Sequence, residues 1–455
     1  MMMILSGFLA KLKGNMNKVK PIGIGLLGAG TIGAGVINAL EGKSDLLTER
    51  IGRPVKLMGI LVRNASNHHA SSNIDLPFTE NAEALITSDD VDIIIEVLGG
   101  EHPAIELINL AIKSNKHVVT ANKEVMAKHG MALLHNANKE GVLIGYEGSV
   151  GGGIPIISAL THQLATNEIS AVQAIINGTT NYILSNMSAG GGASFNAALN
   201  EAQMKGFAEA DSSYDVNGDD AAYKLAILSS VAFRSAIHDV DVFREGIESI
   251  GPEDFIYAKE LGYCIKLLAI SKLEGQFVRA RVHPSLIPMD HPLAQVNGVD
   301  NAIELEGDLV EWSMLQGPGA GSGPTTSAIL GDVINIGQKL DSAGLKPNNI
   351  EIASKYKSLP LDDLETKYYL RLHVKDLPGV MAKISRVLGD MNVSLATVIQ
   401  KEIDDEAEST AEIVITTHKS LEKSMQNAIK QLKSLDVINA ICSFIRIEDS
   451  GFSKS

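Results

Sequence analysis

Residues 19–33 read VKPIGIGLLGAGTIG. Val19 to Leu27 is an aliphatic run suited to a parallel strand buried on both faces. It leads directly into Gly28-Ala29-Gly30-Thr31-Ile32-Gly33, after which Ala34 to Leu40 continue at helical spacing. Strand, G-x-G-x-x-G turn and helix in that order make a dinucleotide cradle. Gly28 permits the tight turn, Gly30 lets backbone approach a pyrophosphate, and Gly33 lets helix pack on strand. The helix N-terminus, with Thr31 and Ile32 in its first turn, faces the phosphate charge. A glycine-rich turn holding no ligand is the plain alternative.

The next strand is expected at Val55 to Val62, beyond an insertion from Glu41 to Pro54. At its end a protein selective for NAD places an acid on the ribose hydroxyls. Here the strand ends in Arg63-Asn64, and a guanidinium accommodates a 2′-phosphate, so the reading leans to NADP with NAD as the alternative. A surface cation at a strand end is the plain account of Arg63. Asp92 to Leu98 and His117 to Thr120 read as further buried strands, with a helix over Pro103 to Lys113 between them. The alternation through residue 145 predicts a doubly wound parallel sheet. Ligands of such sheets lie beyond the carboxyl ends of the strands, where Gly99-Gly100 and Thr120-Ala121-Asn122-Lys123 fall. Lys123 is therefore placed near the cofactor, unless it is a surface lysine flanking a helix.

Val142 to Tyr146 opens one more strand, followed by Glu147-Gly148-Ser149-Val150-Gly151-Gly152-Gly153-Ile154-Pro155. Glycines beside a carboxylate can aim backbone carbonyls and Glu147 at a hard monovalent cation, or bring backbone against a substrate. The pattern then changes to a strand over Ile169 to Asn177, a helix over Thr180 to Met187, a flexible connection over Ser188 to Ser194 and a helix over Phe195 to Lys205. Next comes GFAEADSSYDVNGDDAAYK, Gly206 to Lys224. Glu209, Asp211, Asp215, Asp219 and Asp220 would repel one another unless a cation, a substrate ammonium or nearby lysines compensated them. Asp219 to Lys224 reads as a helix start with Asp220 at the positive end and Lys224 four residues on, so acid and base share one face. That suits proton transfer; a solvated acidic loop with an ordinary ion pair is the alternative. A calcium loop is rejected, because the EF-hand spacing and its closing Glu are absent. Ala221 to Phe233 completes the helix.

Residues 234–305 offer a strand over Phe277 to His283 and little chemistry; His283 and His291, set among prolines, read as loop residues. Gln316 to Gly323, QGPGAGSG, is a second glycine-rich turn, ahead of a helix over Thr325 to Leu340 that returns to the first domain. Residues 341–366 read as a linker. Beyond it, Tyr368 to Val374, Val380 to Met391, Val393 to Gln400, Ala411 to Thr417, Ser420 to Leu432 and Ile438 to Ile445 alternate as βαββαβ around an acidic loop, Asp404 to Glu408. This order predicts a small ferredoxin-like module with no catalytic set of its own.

A chain of 455 residues has room for two or three domains, and 45% hydrophobic with 20% charged residues is a globular composition. The formal charge of -15 argues against nucleic acid or an anionic membrane as partner over most of the surface. Cys264 and Cys442 stand far apart and outside any C-x-x-C pair, which indicates neither a disulfide framework nor a zinc site and points to a reducing cytoplasm. The opening MMMILSGFLAKLKGN carries its lysines after a short apolar run, the reverse of a secretory signal, and is too short to span a bilayer. It reads as an upstream start ahead of Met16 or a disordered tail.

GLLGAGTIG, VTANK, EGSVGGGIPII, INGTTNYIL, GFAEADSSYDVNGDDAAYK, QGPGAGSG and DLPGVMAKI occur in this order between about Val19 and Ile447. Together they closely resemble homoserine dehydrogenase in its monofunctional form, with no amino-acid kinase ahead of it and a C-terminal ACT regulatory domain. The resemblance implies reversible NAD(P)-dependent reduction of L-aspartate 4-semialdehyde to L-homoserine, toward threonine, methionine and isoleucine. It implies that Glu209 and Asp220 bind the amino and hydroxyl ends of the substrate with Asp215 in support. Lys224 would give the proton to the carbonyl oxygen, and Lys123 would sit beside nicotinamide and substrate; which lysine delivers the proton stays open. It further implies a sodium ion on Glu147 and the carbonyls of Val150, Gly152 and Ile154, cofactor contacts at Gly206 and Gly321, and a homodimer or homotetramer. Threonine feedback would act through the ACT module near Asp376 and Gly379. The implied fold is α/β. It comprises a split Rossmann dinucleotide-binding domain over 19–146 completed by about 317–345, an α+β substrate and dimerisation domain over 147–316, and a ferredoxin-like ACT domain over 367–450.

Overall fold

Six apolar runs form one parallel sheet: β1 (Ile22–Leu27), β2 (Val55–Leu61), β3 (Phe78–Thr79), β4 (Ile93–Glu96), β5 (His117–Thr120) and β6 (Ile144–Gly145), in the order β3-β2-β1-β4-β5-β6. The computed structural model describes residues 20–65, 77–189, 192–340, 349–402 and 410–448. The expected N-terminal tail and the loop Asp404 to Glu408 lie outside the described residues. The described chain divides into two compact units, drawn from residues 1–166, 230–238 and 317–355 and from residues 167–229, 239–316 and 356–455.

In the first unit every residue of β1, β4 and β5 is buried, as strands covered on both faces require. The chain leaves β1 outward to β2 and β3, then returns to β4 on the other side of β1. The turn after β1 therefore sits at the switch point of the sheet, where such folds bind ligands. Ile22, Ile24 and Leu26 share a core with Val36, Ile37 and Leu40 of helix Thr31–Gly42 and with Ile329, Leu330, Val333 and Ile336 of helix Ser322–Leu340. The helix behind the second glycine-rich turn thus returns to this unit, as the turn-then-helix order suggests. A Cβ on Gly35 would collide with the hydroxyls of Ser322 and Thr326, which shows how closely the two helices approach.

Two expectations change here. The insertion Glu41 to Pro54 is largely a helix, Ser44–Ile51, whose Leu47 and Ile51 join that core and which Gly52 ends at φ +88°. The supposed linker is anchored at its first described residue: the buried amide of Asn349 donates to Asn138 Oδ1 and the Val142 carbonyl, both at 2.9 Å, and accepts from Ile144 N at 2.8 Å.

The second unit holds β7 (Ile169–Ile175), β8 (Phe243–Arg244), β9 (Tyr263–Glu274), β10 (Phe277–Pro288), β11 (Asp300–Gly307), β12 (Glu311–Pro318), β13 (Lys357–Ser358), β14 (Glu365–Lys375), β15 (Leu395–Glu402), β16 (Thr410–Thr417), β17 (Ser420–Leu421) and β18 (Ile438–Ile447). Its main path runs β12-β11-β7-β9-β10-β18-β14-β16-β15. β9 and β10 form a long antiparallel hairpin, in register from Phe277↔Glu274 to Pro288↔Tyr263. His283 is therefore no loop residue, as its flanking prolines suggest, but lies inside β10 and is wholly buried. Burial and the neighbouring Arg446 and Arg281 hold its imidazole well below its ordinary pKa. His291 does lie in a turn, where its Nδ1 accepts from Leu293 N at 3.2 Å.

The expected βαββαβ module is present: β14, helix Val380–Asp390, β15, β16, helix Glu422–Leu432 and β18. It closes over its own core of Leu370, Leu372, Ile384, Leu388, Ile413, Ile415, Met425 and Leu432. β18 also pairs in parallel with β10 through Ser285↔Arg446 and Leu286↔Ile447, so the module extends the sheet of the residues that precede it. Among the described residues no helix is long and apolar enough to cross a membrane.

Candidate active site

The acidic loop is held by side chains that come to it from elsewhere in the second unit. Asn177 caps helix Gly178–Ser188, its Oδ1 accepting from Thr180 N at 2.8 Å. Its Nδ2 donates to Asp215 Oδ1 and to Asp220 Oδ2, both at 2.8 Å. Asp220 opens helix Asp219–Ala232 and is 2% exposed. One turn on, Lys224 Nζ donates to Asp220 Oδ2 at 2.7 Å and to the Ile176 carbonyl at 3.0 Å, with 12% of the side chain still exposed. The expected sharing of a helical face is thus realised as a direct bond, and the ammonium, with three N–H donors, is oriented rather than mobile.

Asp219 pairs with Arg244 Nη1 at 2.8 Å, and Asp211 accepts from the backbone and hydroxyl of Ser213. Glu209 is exposed, and its backbone carbonyl accepts from Gln203 Nε2 at 3.1 Å. Gly206 takes φ +74° just past helix Phe195–Met204, a conformation that favours glycine. Lys224, Arg244 and Asn177 thus each donate to one or more of these carboxylates, and Ser213 donates to Asp211. Neither Asn177 nor Arg244 is signalled by the loop; the cap position of Asn177 ahead of Gly178-Thr179-Thr180 was the available cue.

In the first unit the glycine turn has the form its spacing predicts. Gly28 sits at φ +108°, and a Cβ on Gly33 would strike the Gly28 carbonyl. Gly30 begins helix Thr31–Gly42 with no side-chain cap, and a Cβ there would meet nothing within 4 Å. Without a side-chain cap, the first-turn N–H groups are a donor set that fits a pyrophosphate. Thr31 and Arg63 are exposed, and Ile32 is half-buried. Gly321, at φ +109°, precedes helix Ser322–Leu340.

Lys123 is the first residue of helix Lys123–Glu140, directly past the carboxyl end of β5. Its approach is fixed by Glu96, which is wholly buried. Glu96 accepts from Thr120 Oγ1 at 2.6 Å and from Leu98 N at 2.8 Å, and burial raises its pKa. Asn122 caps the helix and donates to the Gly100 carbonyl at 2.7 Å. Glu96 went unremarked in the sequence, although a lone acid inside the apolar run DIIIEVL was a usable signal.

Glu147 is buried, and its two oxygens accept from Ile157 N at 2.7 Å and Ser158 N at 2.8 Å. Burial raises its pKa, and its own N–H donates to Asp332 Oδ2 at 2.9 Å. The Ile154 carbonyl accepts from Ile156 N at 2.8 Å, and Gly152 adopts φ +56° against the backbone of Gly319. Each carboxylate oxygen keeps lone-pair capacity beyond its backbone N–H partner. Among the described residues there is no group of three or more His, Cys, Asp or Glu arranged to hold a metal ion.

A parallel sheet with an uncapped glycine turn at its switch point, joined in one chain to an oriented lysine on a buried carboxylate, defines a dinucleotide-dependent oxidoreductase. The comparisons make that class specific. A family model described as homoserine dehydrogenase matches residues 155–334, its NAD binding domain matches 28–147, and the ACT domain matches 368–437. The homoserine dehydrogenase of Neisseria gonorrhoeae is 38% identical over 436 residues, 94% of this chain and 99% of that relative. The crystal structure of a homoserine dehydrogenase from Thiobacillus denitrificans superposes with a TM-score of 0.88 at 39% identity, covering 95% of this chain and 99% of that one. A hyperthermophilic archaeal homoserine dehydrogenase solved in complex with NADPH aligns at 27% identity and a TM-score of 0.59, over 70% of this chain and 98% of its own. The chain belongs to the homoserine dehydrogenase family, and it is an NAD(P)-dependent oxidoreductase acting on a CH–OH group.

Proposed function

We propose that the enzyme interconverts L-aspartate 4-semialdehyde and L-homoserine, with Lys224 as the proton donor to the carbonyl oxygen. The observation that carries this is the Asp220–Lys224 pair, an ammonium aimed by a buried carboxylate and a strand-end carbonyl while part of it stays exposed. A bound dinucleotide supplies hydride to the carbonyl carbon. Lys224 meets the negative charge that develops on oxygen and gives up its proton there; in the reverse direction it takes the proton back. Glu209 and Asp220 hold the amino and hydroxyl ends of the substrate, and Asp215, tied to Asp220 through Asn177, keeps that geometry. Lys123 stands as the second lysine, beside nicotinamide and substrate.

The dinucleotide is assigned to Gly28, Gly30, Thr31, Ile32 and Gly33, with Gly206 and Gly321 as further contacts. Arg63 is assigned to a 2′-phosphate, giving a preference for NADP over NAD; the archaeal relative that holds NADPH supports this. Glu147 with the carbonyls of Val150, Gly152 and Ile154 is assigned to sodium. The working divisions are 19–146 with about 317–345 for the dinucleotide, 147–316 for substrate and dimerisation, and 367–450 for regulation. The enzyme is placed in the cytoplasm as a homodimer or homotetramer in threonine, methionine and isoleucine synthesis, with threonine as the effector of the ACT module.

The test is NADPH consumption on addition of aspartate 4-semialdehyde. Turnover with that substrate supports the reading. Turnover only with a different semialdehyde would move the enzyme to another substrate within the same chemistry.

A further inference from the structure

The short segment Phe243 to Ile247 touches the acidic loop on one side and the C-terminal module on the other. Toward the loop the contact is backbone against backbone. Ile247 N donates to the Val216 carbonyl at 3.0 Å, and a Cβ on Gly246 would lie 2.5 Å from that oxygen and 3.0 Å from Asn217 Cα. Arg244 adds the ion pair to Asp219, the residue before Asp220. The segment is laid along β10 through Arg281↔Phe243 and Val282↔Arg244, and Glu245 N donates to the Val282 carbonyl at 2.9 Å.

Toward the module the contact is one side chain. Arg446 on β18, 1% exposed, donates from Nη1 to Glu245 Oε2 at 2.8 Å. The rest of its guanidinium grips Glu422 in a fork, Nε to Oε2 at 2.9 Å and Nη2 to Oε1 at 2.6 Å. Its face lies over the rings of Phe243 and Phe444, 5.2 and 5.3 Å from their centroids. A planar guanidinium that donates from all three nitrogens, buried between two carboxylates and two rings, has one orientation open to it, so its partners are fixed as well.

Resting on the active-site reading above, we infer that Arg446 is a positioning residue for the reaction. Through Glu245 and Phe243 it sets the segment whose Arg244 and Gly246 support the Val216–Asp220 loop, and hence Asp220 and Lys224. The module touches no reacting atom in this scheme. It determines how accurately the loop is held, so its influence falls on the substrate and leaves the dinucleotide alone.

The test uses the full chain and steady-state kinetics in both homoserine and NADP. Glu245→Gln, at a residue 31% exposed, loses the charge that Arg446 binds, and Gly246→Ala pushes on the Val216 carbonyl. Each should raise KM for homoserine about 3- to 10-fold and lower kcat, with KM for NADP within about twofold of the parent. Arg446→Gln should reproduce the Glu245→Gln effect, and the double variant should be no worse than Arg446→Gln alone. Because Arg446→Gln also frees Glu422, thermal unfolding is followed alongside, and Glu245→Gln with Gly246→Ala decide the outcome. Both kinetic constants staying within about twofold of the parent in those two variants would overturn the inference, as would KM for NADP rising in parallel with KM for homoserine. Lys224→Ala in the same series separates the two levels. If it keeps turnover, the active-site reading itself fails; if it loses turnover while Glu245→Gln and Gly246→Ala behave as the parent, only the role of Arg446 fails.

Discussion

The glycine turn of the first unit and the acidic loop of the second both manage concentrated negative charge, and they do so with opposite materials. At Gly28 to Gly33 the working groups are backbone N–H donors, left uncapped at Gly30, and the missing Cβ at Gly33 lets the turn pack against the Gly28 carbonyl. At Asp215 to Lys224 the working groups are side chains, each held by another from elsewhere, with Asn177 bridging Asp215 and Asp220, the Ile176 carbonyl on Lys224 and Arg244 on Asp219. The first kind of site is damaged by adding atoms. The second is damaged by removing a single bond, since a buried carboxylate left without its donor costs more than the bond itself contributes.

That contrast can be broken at either site. The largest effect is expected from Asp220→Asn, which keeps the shape of the side chain and discards the charge that aims Lys224. It should lower kcat about 100-fold with KM for the dinucleotide nearly unchanged, as steady-state kinetics would register. Gly33→Ala should do the reverse. Its methyl strikes the Gly28 carbonyl, so dinucleotide affinity, read by fluorescence titration, should fall about 10-fold, and saturating cofactor should restore much of the rate. A matching loss of kcat would erase the distinction between the two sites. Arg63→Ala is expected to raise KM for NADPH about fivefold and to spare NADH. Equal losses with both cofactors would return Arg63 to the solvent surface.

The comparison is sharpened by a third acid. Glu304 is as deeply buried as Asp220, yet among the described residues neither of its carboxylate oxygens has a hydrogen-bond partner, and His291 Nε2 stands 3.8 Å away. Burial pushes its carboxyl up to about 7. A raised carboxyl pKa means that the folded protein keeps a proton the unfolded chain releases. The stability from this group is therefore complete below the ordinary value of 4.5 and is lost as the pH climbs through about 7. Glu304→Gln should remove that slope, leaving the variant more stable than the parent at pH 8 by about 1–3 kcal/mol in denaturant unfolding, and not at pH 4. A parallel pH dependence in both proteins would mean that Glu304 already finds adequate partners.

What the sequence disclosed, and what it hid, divides along the same line. The glycine turn, the strand and helix alternation and the βαββαβ module are encoded by neighbours within a few residues, and they are present where their patterns put them. The Asp220–Lys224 pair was legible for the same reason, being one helical turn apart. The partners that make the pair work were not. Asn177 and Arg244 lie 43 and 25 residues from the acids they bind, and spacing carries no information at that range. Glu96 stood out only as an acid among isoleucines. β9 escaped notice because YCIKLLAI, buried on both faces, lacks the alternation that tells strand from helix, and its partner β10 was cut short at His283 by prolines that in fact lie within the strand.

The central claim is that Lys224, aimed by Asp220, protonates the oxygen of the reduced carbonyl. The direct measurement is the turnover of Lys224→Ala in the reduction of aspartate 4-semialdehyde by NADPH, with and without added methylamine. The account predicts a kcat about 100-fold or more below the parent, an unchanged KM for NADPH, and partial recovery as the small amine enters the space the side chain left. Turnover within about threefold of the parent, with or without amine, would contradict it.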